Sequence, residues 1–105
     1  MRILKFIVTG QVIRPDPSCD FSGIVPGSKG YLKAVFTFDS EWDGCEKIAE
    51  FRRYNVDKCT PVRLIQNSCM IPEEELANRC FYVSAIGIKP GYRIKTNREK
   101  VEQDG

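Results

Sequence analysis

The segment from Tyr31 to Phe51, YLKAVFTFDSEWDGCEKIAEF, constrains the fold more than any other stretch of this chain. In its first half Leu32, Ala34, Phe36 and Phe38 alternate with Tyr31, Lys33, Val35 and Thr37, the two-residue period of a strand with one buried face. Ile48, Ala49 and Phe51 are the apolar members of a second strand, Cys45 to Arg53. Between the two runs an acidic tip, Asp39 to Gly44, carries the only tryptophan. Asp43-Gly44 is the expected reversal point, because glycine enters positive φ without steric cost.

The remaining punctuation is that of an all-β chain. Ile3 to Val8 opens as a strand, and Gln11 to Arg14 continues it beyond Gly10 as a bend or a second short strand. Pro15 to Gly30 has the proline, glycine, serine and aspartate content of a long irregular connection, which Phe21, Ile24 and Val25 pin to the core. Pro61 to Ile65 and Cys69 to Ile71 read as strands of a hairpin around Gln66-Asn67-Ser68. Pro72 to Ala77 is the one plausible helical turn, with proline at its first position and three glutamates at the positive end of its dipole. Cys80 to Ile88 is nearly all apolar and therefore central, and Pro90-Gly91 is a type II turn into a strand from Tyr92 to Thr96. Glu99 to Gln103 either adds an edge strand through Val101 or frays. The expectation is a single domain over residues 1–105: an antiparallel β-sandwich, immunoglobulin-like or a small barrel, of about seven strands with at most one short helix.

Composition narrows the chemistry. One core is all that 105 residues support. The 16 basic and 14 acidic residues are mixed along the chain, giving a net charge of +2 with no basic block, so no nucleic-acid partner is expected. Lys5 interrupts the N-terminal apolar run and no small-residue cleavage site follows it, which favours a strand over a signal peptide; no membrane partner is expected. Five cysteines without a CxxC pair, in a chain with no histidine, fit reduced, largely buried thiols better than zinc or a disulfide framework.

Without histidine, Ser18 or Cys19 lacks an ordinary base, and no catalytic residue, metal ligand or cofactor is assigned. The series Asp39, Glu41, Asp43, Gly44 and Glu50 approaches a calcium loop, but Glu46 occupies an apolar position and the flanks are strands, so a solvated turn is the better reading. Trp42 either folds back to cap one end of the sandwich or stands out as an interface anchor. The candidate contact surfaces are the long loop, through Asp16, Asp20, Phe21 and Ile24, and the acidic tip, through Glu41, Trp42 and Asp43.

FIVTGQ, DPSCDFSGIVPGSKGYLKAVFTFDSEWDGCEKIAEF, SCMIPEEEL and GYRIKTNREKVEQDG together resemble small proteins encoded among the structural genes of phages and prophages of Gram-positive gut bacteria. Phe36, Phe38, Trp42, Asp43, Gly44, Lys47, Ala49 and Phe51 also resemble the N-terminal β-domain of phage baseplate and tail-appendage proteins. The resemblance implies a non-enzymatic virion module made in the host cytoplasm: a decoration, adaptor or plug that binds other phage structural proteins and forms a homo-oligomer. Appendage proteins continue into coiled or receptor-binding segments, so this chain is expected to act as a whole small module. The competing expectation is a phage-encoded inhibitor, or a nucleotide sponge whose pocket would draw on Arg52, Arg53, Tyr54 and Tyr92.

Overall fold

The computed structural model describes residues 1–54, 56–77 and 79–103, with Ala77 described by its backbone alone. It is a two-sheet β-sandwich with nine strands among the described residues, two more than expected. The first sheet contains β1 (Arg2–Thr9), β2 (Val12–Pro15), β3 (Leu32–Phe38) and β6 (Ser68–Met70), in the order β2-β1-β3-β6. The second contains β4 (Glu46–Arg53), β5 (Cys59–Arg63), β7 (Cys80–Lys89), β8 (Tyr92–Lys95) and β9 (Glu99–Glu102). Its order is β5-β4-β7-β8, and β9 pairs with the first half of β7 on the edge that β8 occupies further along.

Strict alternation builds the core between the sheets. Leu4, Phe6 and Val8 of β1 and Leu32, Ala34 and Phe36 of β3 face Ala49 and Phe51 of β4 and Phe81, Val83 and Ala85 of β7, all at most 2% exposed. Each large side chain so buried contributes about 1.5–3 kcal/mol of transfer free energy. Phe6 and Phe36 stack at 5.4 Å, and Phe36 and Phe38 at 5.9 Å, so one aromatic row runs down β3 toward the tip.

Turn chemistry fixes the hairpins. Gly10, at φ +56°, is the first of two turn residues between Thr9 and Val12, so β1 and β2 form a hairpin where a bend or short strand was expected. Gly91, at φ +70° after Pro90, closes the β7–β8 hairpin as the type II signature predicted.

Two pairings depart from the expected antiparallel plan. β1 and β3 are parallel, because the long loop after β2 returns the chain to the starting end of the sheet before β3 begins. β5 and β6 do not pair with each other: β5 joins β4 and β6 joins β3, so the chain crosses between sheets at Gln66 and Asn67. Both residues have positive φ, and the expected hairpin is reduced to a single Ile65–Ser68 bridge. The expected helical turn is a 3₁₀ segment, Glu73–Ala77, and a second one, Ser40–Trp42, forms in the tip.

Candidate interaction surface

The long loop is ordered by its own side chains. Asp16 Oδ1 accepts from the Ser18 amide and hydroxyl at 2.9 and 2.8 Å, and Asp20 Oδ1 accepts from the Ser22 amide and hydroxyl at 2.8 and 2.6 Å. These bonds hold both carboxyls below their ordinary range. The Arg2 guanidinium donates to the Asp20 and Ser22 carbonyls. Phe21 packs edge-on against Phe6 at 5.4 Å, and Ile24 is 2% exposed. Of the loop candidates, Asp20 is exposed, Asp16 and Phe21 are half-buried, and Ile24 is core and offers no contact surface. Nearby a cavity of about 190 Å³ is lined in part by Arg2, Ile24, Val25 and Tyr31. That is below the size of an ordinary small-molecule site.

The tip is a latch. Asp39 caps its 3₁₀ turn, its carboxylate accepting from the Glu41 amide at 3.1 Å and from the Gly10 amide at 2.8 Å. Trp42 is fully buried; its indole Nε1 donates to the Gly10 carbonyl at 2.9 Å and its ring lies 4.9 Å from Phe38. A Cβ on Gly87 would stand 2.7 Å from Trp42 Cε3, so the glycine is what admits the ring. The Tyr92 hydroxyl donates to the Glu41 carbonyl, and Lys89 Nζ to the Asp43 carbonyl. Trp42 therefore caps one end of the sandwich, and the reading of it as an exposed anchor is corrected. Glu41 and Asp43 remain at the surface. Asp39 spends both carboxylate oxygens on backbone amides, and Glu50 lies within β4 opposite Ser84, five residues into the strand from its tip end.

The residues named for a nucleotide pocket do not converge. Arg52 pairs with Tyr82 on the outer face of the second sheet, whereas Tyr92 pairs with Lys89 at the other end of β7. What gathers around Arg52 instead is a stack: its guanidinium lies 5.1 Å from the Tyr82 ring centroid and that of Arg98 lies 5.6 Å from the same centroid. With both cations on its ring, Tyr82 is occupied as a stacking platform.

The sheet edges are blunted. The Ile13 amide of β2 donates to Asn97 Oδ1 at 2.9 Å, and the Asn97 amide donates to the Gln11 carbonyl at 3.0 Å, so the tail of the second sheet latches the open edge of β2. Where β2 ends, the Asp16 amide bonds the Lys5 carbonyl and Cys19 Sγ accepts from the Lys5 amide at 3.4 Å. β5 carries Pro61, and β6 is three residues long. Short strands, proline and covered amides are the usual defences against edge pairing.

The faces stay open. On the outer face of the first sheet, cross-strand register makes three rows: Arg14, Ile7, Thr37; Lys5, Val35, Ser68; and Ile3, Lys33, Met70. Ile3 is 45% and Met70 38% exposed, and Val12 beside Thr9 is 52% exposed. No carboxylate falls in these rows; Asp16 stands at the rim, close enough for Lys5 and Arg14 to act on it. Among the described residues Lys5, Arg14 and Lys33 form no ion pair. A sequence reading centred on the loop and tip passes over these residues. Their signal was the apolar content of Ile3 and Ile7 on the face of β1 opposite Leu4, Phe6 and Val8.

Fold and surface thus define an all-β sandwich with a covered β2 edge, blunted β5 and β6 edges and one apolar, cationic face. No family model, curated protein or solved structure matches the chain. Among the described residues no three potential ligands gather into a metal-sized cluster, and no helix is long and apolar enough to cross a membrane.

Proposed function

We propose that the chain is a non-enzymatic association module, carried in a phage or prophage particle, that docks onto an acidic and partly apolar surface of another particle protein. The observation that supports it best is the outer face of the first sheet, where five apolar side chains are interleaved with three cations that form no ion pair among the described residues. An apolar patch of that kind on a soluble domain marks a protein contact, and its charge selects an acidic partner. The phage setting is supported by the sequence resemblance alone.

Mass spectrometry of purified particles tests both parts. The wild-type chain is expected in many copies per particle, and the Lys5→Glu/Lys33→Glu variant is expected to fold with an unchanged melting temperature yet to be left in the lysate. Absence of the wild-type chain from particles, with expression early in infection, would overturn the particle setting in favour of an inhibitor acting in the host cytosol. Full incorporation of the variant would overturn the docking face.

A further inference from the structure

The outer face of the second sheet carries a different charge pattern, divided strand by strand. Its outward positions on the three strands that carry the pattern are Glu46, Ile48, Glu50 and Arg52 on β4, then Ile88, Ile86, Ser84 and Tyr82 on β7, then Arg93 and Lys95 on β8, with Arg63 of β5 outside β4 and Lys100 of β9 beside Tyr82. At the end nearest the Trp42 latch, one row reads Glu46, Ile88, Arg93 and the next Ile48, Ile86, Lys95. An acidic-apolar column and a basic column therefore flank an uncharged one. Ile86 is already covered by its neighbours, whereas Ile88 is 42% exposed.

This pattern is its own complement under a twofold rotation. A second copy placed face to face, with the axis parallel to β7 and midway between the sheets, keeps height along the strands and exchanges left for right. Each β7 then lies on the other β7, and each β4 lies on the other copy's β8. Glu46 of each copy faces Arg93 of the second, Glu50 lies one row from Lys95, and Ile88 packs on Ile88. Stacked sheets about 10 Å apart leave the depth that such long side chains span.

The contacts already present do not oppose this. Glu46 pairs with Arg63 at 3.1 Å, but both side chains are more than half exposed, so the pair exchanges partners at little cost. Further along, Arg52 would meet Lys100 of the second copy, and Arg98, stacked on Tyr82, would approach its own counterpart, so the contact is confined to the end around Ile88. Arg52 and Lys100 have local counter-ions, Asp57 at 3.8 Å and Glu102 at 3.4 Å, and sheet twist carries that end apart. The same rotation applied to the first sheet finds no carboxylate in its rows to set against Lys5, Arg14 or Lys33, and the blunted edges disfavour strand pairing.

We infer that the outer face of the second sheet is an isologous interface for a second copy of this chain, centred on Ile88 and registered by Glu46 and Arg93. The inference rests on reading the chain as an association module and leaves the first sheet's cationic face free for the other particle protein.

Sedimentation equilibrium of the full chain up to roughly millimolar concentration tests it. The wild type is expected to dimerise reversibly, more weakly at high salt. Glu46→Arg and Arg93→Glu are each expected to weaken the dimer about tenfold or more, since the symmetry places every reversal at two contacts. The double variant is expected to recover the wild-type constant, because it restores both pairs with the charges exchanged. A wild type that stays monomeric overturns the inference, as does a dimer indifferent to the single reversals or one that the double variant fails to restore. A monomer that still enters particles through the Lys5 and Lys33 face would sink the dimer and leave the docking reading standing.

Discussion

Gly87→Ala is the substitution that weighs the tip latch most sharply. Gly87 lies on the inner face of β7 opposite Lys47 and Ile94, and its backbone is in a region that alanine adopts freely. The cost is therefore contact alone. The new Cβ would lie 2.7 and 2.9 Å from Trp42 Cε3 and Cζ3, and 3.0 Å from Ile94 Cγ2. Carbon atoms rest comfortably at about 3.5–4.0 Å, so the indole must withdraw by roughly 1 Å. It has little room, being held by its bond to the Gly10 carbonyl at 2.9 Å and by Phe38. Overpacking costs about 1–3 kcal/mol, and weakening the indole hydrogen bond adds about 1 kcal/mol. Alanine returns about 0.5–1 kcal/mol through its lower unfolded-state entropy. The net expectation is a loss of about 2 kcal/mol, which lowers the melting temperature by roughly 8–16 °C in a domain of this size. Urea unfolding followed by far-ultraviolet circular dichroism, a signal that survives the loss of Trp42, supplies the free energy. Trp42→Phe, which removes the atoms in collision, is expected to destabilise by itself but to couple favourably with Gly87→Ala, by about 1 kcal/mol or more in a double-mutant cycle. A neutral Gly87→Ala, or strict additivity with Trp42→Phe, would refute the latch.

Other regions carry their own expectations. Glu75 is 2% exposed; Thr60 Oγ1 donates to its Oε1 at 3.1 Å, its Oε2 has no partner among the described residues, and burial pushes its carboxyl above the ordinary value of 4.5. Its proton thus binds the folded state more tightly, so the stability it lends is full below about 4.5 and is lost as pH rises through the folded value. Glu75→Gln should accordingly be more stable than the wild type at neutral pH, by a margin that shrinks on acidification, as denaturation across pH will report. Asp39→Ala removes the acceptor for two backbone amides and is expected to cost about 1–2 kcal/mol by chemical denaturation. Burial raises the Cys69 thiol to about 12, and Cys45 and Cys80 are also buried, whereas Cys19 and Cys59 are half-buried. Native-state alkylation read by mass spectrometry should label Cys19 and Cys59 first and the other three only on unfolding.

The period of two in Leu32 to Phe38 was enough to place that strand and its buried face, and the apolar run of Cys80 to Ile88 was enough to place a central strand, though not to say which of its faces is inner. Pro90-Gly91 and Pro72 marked local events correctly, because turn chemistry is written in adjacent residues. Partnering was not legible. Alternation tells which side of β1 is buried but not that β3 runs parallel beside it, and nothing near Pro61 or Cys69 says that β5 and β6 belong to different sheets. Trp42 shows the same limit: its burial depends on Gly87 and on the Gly10 carbonyl, 45 and 32 positions away in the chain. The interaction faces were hidden for a related reason. Arg14, Ile7 and Thr37 form a row only once β2, β1 and β3 are paired, and Glu46 meets Arg93 only across β7 and a symmetry operation.

The central claim is that this chain associates through its sheet faces and uses its tryptophan tip and long loop to hold itself together. Hydroxyl-radical footprinting of the free chain and of the chain in its particle compares those surfaces side by side. The expected result is loss of reactivity at Ile3, Ile7 and Met70 on the first sheet and at Ile88 on the second, with Trp42 unreactive in both states and Glu41, Asp43 and Asp20 unchanged. Protection confined to residues 16–24 and 39–44, with both sheet faces still reactive, would contradict it.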